Sequence, residues 1–166
     1  MTTAGELLKQ GRKDEIWQKY CGFIDLSLTE FMDIQKRLLM DQLDLLGKCE
    51  LGQKLLGGKV PATLEEFRQN VPLTTYKDYI PYLSEKREEA LPVKPHVWAR
   101  TSGRMGEYAV KWIPYSPGFY SKLGANILAA CAFGSSDRRG VFTFDEGDFI
   151  FAAIAPPPYL SGAVVA

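Results

Sequence analysis

The chain has 166 residues, 46% of them hydrophobic, and its 20 basic and 20 acidic side chains cancel to no net charge. That length and composition suit one real core rather than disorder. The charge balance lacks the electrostatic footprint of a chain that binds nucleic acid or an anionic membrane.

The start, Met1-Thr2-Thr3-Ala4-Gly5-Glu6, has no basic region leading into an apolar core, so no signal peptide is read there. No apolar run approaches the length of a membrane span. Cys21, Cys49 and Cys131 are widely separated, odd in number and in no metal-binding spacing. They predict reduced, packed thiols in a cytoplasmic protein.

Residues 1–90 read as a helical N-terminal segment, with Trp17, Tyr20 and Phe23 as packing residues. Ser27-Leu28-Thr29-Glu30 has the form of a capping box, in which hydroxyl and carboxylate each satisfy an orphan backbone donor. Behind it Phe31, Ile34, Leu38, Leu45 and Leu46 recur at helical spacing, and Gly47 is the expected stop. Gly57-Gly58 predicts a turn. Thr63-Leu64-Glu65-Glu66 repeats the capping-box pattern, and Thr74-Thr75, with Asp78 in the first turn, marks another helix start.

From Leu91 the texture changes, and residues 91–166 read as the start of an α/β domain, so the fold class is α/β. Pro92 and Pro95 set an extended lead-in to a short buried strand, Val97 to Arg100. A second strand is expected over Ala109–Pro114, then a long helix from Ser116 that Gly134-Ser135-Ser136-Asp137 ends. A third strand is expected over Phe149–Ile154, stopped by Ala155-Pro156-Pro157-Pro158. The final Tyr159-Leu160-Ser161-Gly162-Ala163-Val164-Val165-Ala166 looks like the beginning of a further element, so the sequence is expected to be the N-terminal fragment of a longer protein, missing the C-terminal part of its own chain. The rival is a naturally short protein.

His96 is the sole histidine and reads as structural or surface. Asp137-Arg138-Arg139 reads as a solvated turn, and Asp145, Glu146 and Asp148 around Gly147 as a hairpin turn rather than a cation site. No metal site is expected.

The chemically suggestive stretch is Thr101-Ser102-Gly103-Arg104-Met105-Gly106-Glu107-Tyr108-Ala109-Val110-Lys111. Two glycines let backbone N–H groups approach an anion closely. The hydroxyls of Thr101 and Ser102 can donate to phosphate oxygens, and Lys111 can add a point charge. The plain alternative is a glycine-rich hairpin turn with Lys111 in solvent.

Its surroundings narrow the choice. Phe67, Val71-Pro72, Tyr76, Asp78 and Pro81-Tyr82 precede the loop, and Lys111-Trp112-Ile113-Pro114 follows it. This order resembles the N-terminal part of the Gretchen Hagen three (auxin-responsive) family of acyl-acid amido synthetases, over roughly residues 35–166. That family lies within the adenylate-forming superfamily of acyl-CoA synthetases and luciferases. The resemblance implies a full-length ligase that uses ATP and Mg²⁺ to activate a small carboxylic acid as its acyl-adenylate. The acyl group then passes to an amine, commonly an amino acid, or to a thiol. Thr101, Ser102, Gly103, Gly106 and Lys111 match the phosphate loop, Arg104 lies within it as a further candidate phosphate contact, and Tyr159 would border the acyl pocket.

Arg104 and Met105 stand where the family carries small or hydroxylated residues. Arg104 would either fork onto phosphate or turn to solvent or Glu107. The fragment alone is expected to be inactive. The alternatives are a phenylacetate-CoA-ligase-like acyl-CoA synthetase and a noncatalytic interaction module with a degenerate loop.

Overall fold

In a computed structural model, residues 2–103, 108, 110–149, 151 and 153–163 are described. The fold is mixed α/β and mostly helical, as its sequence class requires. It comprises two compact units, each drawn from two stretches of chain: residues 1–31 with 118–154, and residues 32–117 with 155–166.

The first unit is built on α1 (Ala4–Lys9), α2 (Lys13–Cys21) and α7 (Pro117–Gly134), with a small antiparallel pair, β3 (Ser136–Arg138) and β4 (Val141–Phe142). Helix α7 starts on a proline, whose missing N–H costs nothing at a first helical position. Its small residues Ala129 and Ala132 let Ile16, Trp17 and Cys21 of α2 approach, and Leu7 and Phe142 complete the core. Phe133 meets Trp17 edge-on at 5.3 Å and Phe23 at 5.9 Å, so the early aromatics do pack, although Phe23 stays half exposed. Burial pushes the Cys21 thiol up, which keeps it protonated and unreactive.

Within the same unit, Asp137-Arg138-Arg139 is part of a hairpin around Gly140 (φ +78°), and Arg139 pairs with Asp25. The acidic turn forms as its glycine predicts, with Gly147 at φ +90° and the Asp145 N–H donating to Asp148 at 2.8 Å. Asp145 and Glu146 pair with Lys13 and Lys9 at 2.7 and 3.1 Å. Of the third strand expected at Phe149–Ile154, the described residues, Phe149, Phe151, Ala153 and Ile154, are not in a strand. They find no strand to pair with, and Phe149 and Phe151 are almost fully exposed.

The second unit holds α4 (Glu50–Leu55), α5 (Leu64–Asn70), α6 (Tyr76–Leu83), the hairpin of β1 (Val97–Arg100) and β2 (Trp112–Tyr115), and α8 (Leu160–Ala163). Helix α3 (Leu28–Leu46) begins in the first unit and continues into the second. Cys49, Leu51, Tyr82 and Ala90 form a core with Leu55, Tyr79 and Leu91 around them. In α3 the deeply buried position is Leu43, on a stripe with Leu39 and Leu46, while Phe31 is exposed and Ile34 and Leu38 are half-buried.

Helix starts follow the sequence closely. Ser27 Oγ accepts from the Glu30 N–H at 3.2 Å, and the Glu30 carboxylate accepts from the Ser27 N–H at 2.8 Å. Asp78 accepts from the Thr75 N–H at 2.7 Å in the same way. At Thr63 only half the box forms: its hydroxyl accepts from the Glu66 N–H at 3.1 Å, while Glu66 reaches one residue further back, to the Ala62 N–H at 2.9 Å. Helix α3 does stop before Gly47, although not by a left-handed cap. A Cβ there would collide with the Val60 side chain, so this glycine serves close approach.

These caps set a pH dependence. Hydrogen bonds from the Ser27 side chain and backbone hold the Glu30 carboxyl below its ordinary 4.5, and the Thr75 backbone does the same for Asp78 below 3.8. A carboxyl depressed by folding adds stability that is complete above its unfolded value and is lost as pH falls through the folded one. Ser27→Ala should therefore destabilise the protein at neutral pH. Its deficit against wild type should narrow below about pH 4, as read by urea unfolding at each pH.

Candidate functional site

Strands β1 and β2 pair antiparallel with Arg100 opposite Trp112. Beyond them the Thr101 N–H donates to the Lys111 carbonyl at 3.0 Å, and the Lys111 N–H donates back to Thr101 Oγ1 at 3.2 Å. The threonine hydroxyl thus closes the neck of the loop, and its own proton remains to donate elsewhere. Gly103 sits at φ +71°, the left-handed backbone that glycine adopts without a Cβ penalty. Arg104 and Gly106 lie outside the described residues.

The side of the hairpin at Trp112 is tied to α6. The Tyr76 hydroxyl accepts from the Trp112 N–H at 2.9 Å and donates to the Trp112 carbonyl at 3.4 Å. Lys111 Nζ lies 5.4 Å from the centre of the Tyr76 ring. Lys86 Nζ stands 3.6 Å over the Trp112 ring, a cation–π contact.

The side at Arg100 is tied to the chain after the prolines. Its N–H donates to the Pro158 carbonyl at 2.8 Å, and Arg100 and Tyr159 form a parallel bridge. Arg100 Nη2 donates to the Tyr159 hydroxyl at 2.8 Å, with the guanidinium 4.4 Å from the centre of the tyrosine ring. Helix α8 then folds hard onto its own approach. A Cβ on Gly162 would collide with the backbone of Ala155, Pro156 and Pro157.

Between these parts opens a cavity of about 360 Å³, lined by Arg100, Thr101, Ser102, Ala155, Tyr159, Leu160 and Ser161. Among the described residues its lining carries three hydroxyl-bearing residues besides Tyr159, one guanidinium and no carboxylate, a donor set suited to an oxyanion. Arg100 Nε is buried and has no hydrogen-bond partner among the described residues. A buried donor left unmade costs on the order of 1–3 kcal/mol, which a bound anion would recover. The cavity is at the small end of the range for ligand sites.

Of the residues singled out in the sequence, Thr101, Ser102 and Tyr159 come together at this cavity. Gly103 follows directly in the chain, and Lys111 lies against Tyr76 rather than in the cavity lining. Arg100 and Ser161 were not singled out. Arg100 read as the last residue of a strand, and Ser161 belongs to a short helix that no capping pattern announces. His96 is exposed, and its N–H donates to the Tyr115 carbonyl at 2.7 Å.

Among the described residues no group of three or more His, Cys, Asp or Glu is arranged to hold a metal ion, and no helix is long and apolar enough to cross a membrane. A second, larger cavity of about 710 Å³ lies in the first unit, with Leu8, Ile127, Leu128, Cys131 and Phe144 in its wall and the acidic turn at its lip.

A family model described as the GH3 family N-terminal domain matches residues 21–144. The match starts earlier and stops sooner than the resemblance read from the motifs, and it spans the whole hairpin loop. No curated protein and no solved structure gave a match.

Proposed function

The chain belongs to the GH3 family, a family of acyl-acid amido synthetase-like adenylating enzymes, and from that premise we propose that its protein activates a small carboxylic acid with ATP. The carboxylate attacks the α-phosphate, pyrophosphate leaves, and the acyl-adenylate hands its acyl group to an amine, an amino acid above all. A thiol acceptor would give the CoA-ligase variant of the same chemistry.

The observation that carries this reading is the opening of Thr101 and Ser102, at the start of the loop, onto a cavity that the described residues furnish with donors and with no carboxylate. Adenylation requires a polyanion to be held while charge develops on the departing pyrophosphate, and preorganised donors accomplish that in a partly dehydrated site. Thr101 and Ser102 would donate to phosphate oxygens, and Gly103 and Gly106 would let backbone N–H groups close in. Arg104 and Lys111 would add charge. Mg²⁺ would accompany ATP and neutralise phosphate charge, and no ligand for it is assigned to this chain. A cytoplasmic location suits both the ATP supply and the unpaired cysteines.

The test is exchange of labelled pyrophosphate into ATP by the full-length protein across a panel of carboxylic acids. Exchange that depends on one class of acid is the expected result. Release of ADP and phosphate instead of pyrophosphate would remove the adenylation reading, and transfer to CoA rather than to amino acids would select the thioester-forming variant.

A further inference from the structure

We propose that Arg100 is the anion anchor of this cavity, its guanidinium held by Tyr159 so that the Nε–H, unpartnered among the described residues, meets an oxyanion bound beside Ser102. The inference deepens the adenylation reading and rests on it only for which oxyanion arrives. Two sources share that chemistry: a phosphate group of ATP and the carboxylate of the acid.

Three observations converge on Arg100. First, its side chain is fixed on two sides, by the 2.8 Å hydrogen bond to the Tyr159 hydroxyl and by stacking on that ring. Its backbone is also fixed, by the bond to Pro158. A planar, permanently charged fork that is already immobilised loses little freedom when it binds, which favours bidentate recognition of carboxylate or phosphate. Second, no ion pair among the described residues involves Arg100, and its Nε is buried without an acceptor. An arginine that served only to staple the chain would spend its charge on a carboxylate of the protein, as Arg87 does on Glu50 and Glu89. Third, the same cavity receives Thr101 and Ser102, whose hydroxyls can donate to the remaining oxygens of the same anion.

Tyr159 is then a positioning residue. It orients the guanidinium and makes no claim on the anion itself. Its place after the three prolines makes the chain beyond the first unit a working part of the loop's site, because Gly162 lets α8 press against Ala155–Pro157 and so seats Tyr159 under Arg100.

The experiment uses the full-length protein and four forms: wild type, Arg100→Ala, Arg100→Lys and Tyr159→Phe. Binding of inorganic pyrophosphate is measured by calorimetry, alongside the KM for ATP and for the acid in pyrophosphate exchange. Arg100→Ala is expected to weaken anion binding about tenfold or more, the loss typical of a charge-assisted hydrogen bond. Arg100→Lys should recover only part, because a point charge cannot fork, and Tyr159→Phe should fall between wild type and Arg100→Ala.

Weaker pyrophosphate binding with a raised KM for ATP assigns the anchor to phosphate. An unchanged pyrophosphate affinity with a raised KM for the acid assigns it to the carboxylate. Should Arg100→Ala fail to fold, the lysine and phenylalanine variants carry the comparison. Unchanged pyrophosphate affinity and unchanged KM for both substrates in those variants would overturn the proposal. A wild type that binds pyrophosphate in an Arg100-dependent way yet shows no exchange would sink the adenylation reading and leave the anchor standing.

Discussion

Ser102→Ala is expected to slow acid-dependent pyrophosphate exchange by about 10²-fold, the loss typical of one preorganised donor to developing charge, while the thermal midpoint stays where it is. Ser102 is exposed, and among the described residues its hydroxyl has no partner, so its removal breaks nothing within the fold. Thr101 is the contrasting case, because its hydroxyl accepts the Lys111 N–H. Thr101→Ala loses a contact of the hairpin neck as well as a donor, and Thr101→Ser keeps both. Exchange rates and melting curves of the three variants separate catalysis from scaffolding. Undiminished exchange by Ser102→Ala would return the loop to a plain hairpin turn.

The largest effect on stability is expected at Trp17. It is 4% exposed, packs edge-on against Phe133 and shares a core with Ile16, Ala129, Ala132 and Phe142. Trp17→Ala removes an indole from a core otherwise lined by small residues on α7, which cannot move in to fill the space. A cost of about 3–5 kcal/mol follows from cavity formation, a large fraction of the roughly 5–15 kcal/mol that holds a domain folded. Chemical unfolding followed by circular dichroism reads it. A loss under about 1 kcal/mol would mean that the first unit does not depend on this core.

The parts of the fold that were legible in the sequence are those decided locally. Ser27 and Thr63 cap helices through hydroxyl-to-backbone bonds and Asp78 through its carboxylate on the Thr75 N–H, all closed within three residues, and Gly57-Gly58 turns because both adopt positive φ. Strand β1 matched its expected span, Val97–Arg100, whereas β2, expected over Ala109–Pro114, spans Trp112–Tyr115.

What was not legible depends on partners distant in sequence. Phe149–Ile154 has the composition of a strand, yet strands form only where another backbone is offered, and among the described residues none is. Gly47 follows the helix as expected, but the approach of Val60, which leaves no room for a Cβ there, could not be read from the sequence. The family match bears out the resemblance read from the stretch between Phe67 and Pro114. Arg100 escaped notice because its significance lies in Tyr159, 59 positions away, and no spacing rule connects the two.

The Tyr76 hydroxyl, which serves both backbone groups of Trp112, turns that residue into a built-in probe. In an isolated two-stranded ribbon an outward-facing amide exchanges its proton with solvent freely. Here the Trp112 amide is sheltered by a side chain of α6. Its exchange rate therefore reports how often the start of α6 lifts away, rather than how often the two strands part. Because Lys111 precedes it and the Lys111 side chain lies on the same tyrosine, one exchangeable proton monitors how firmly the loop's lysine is held.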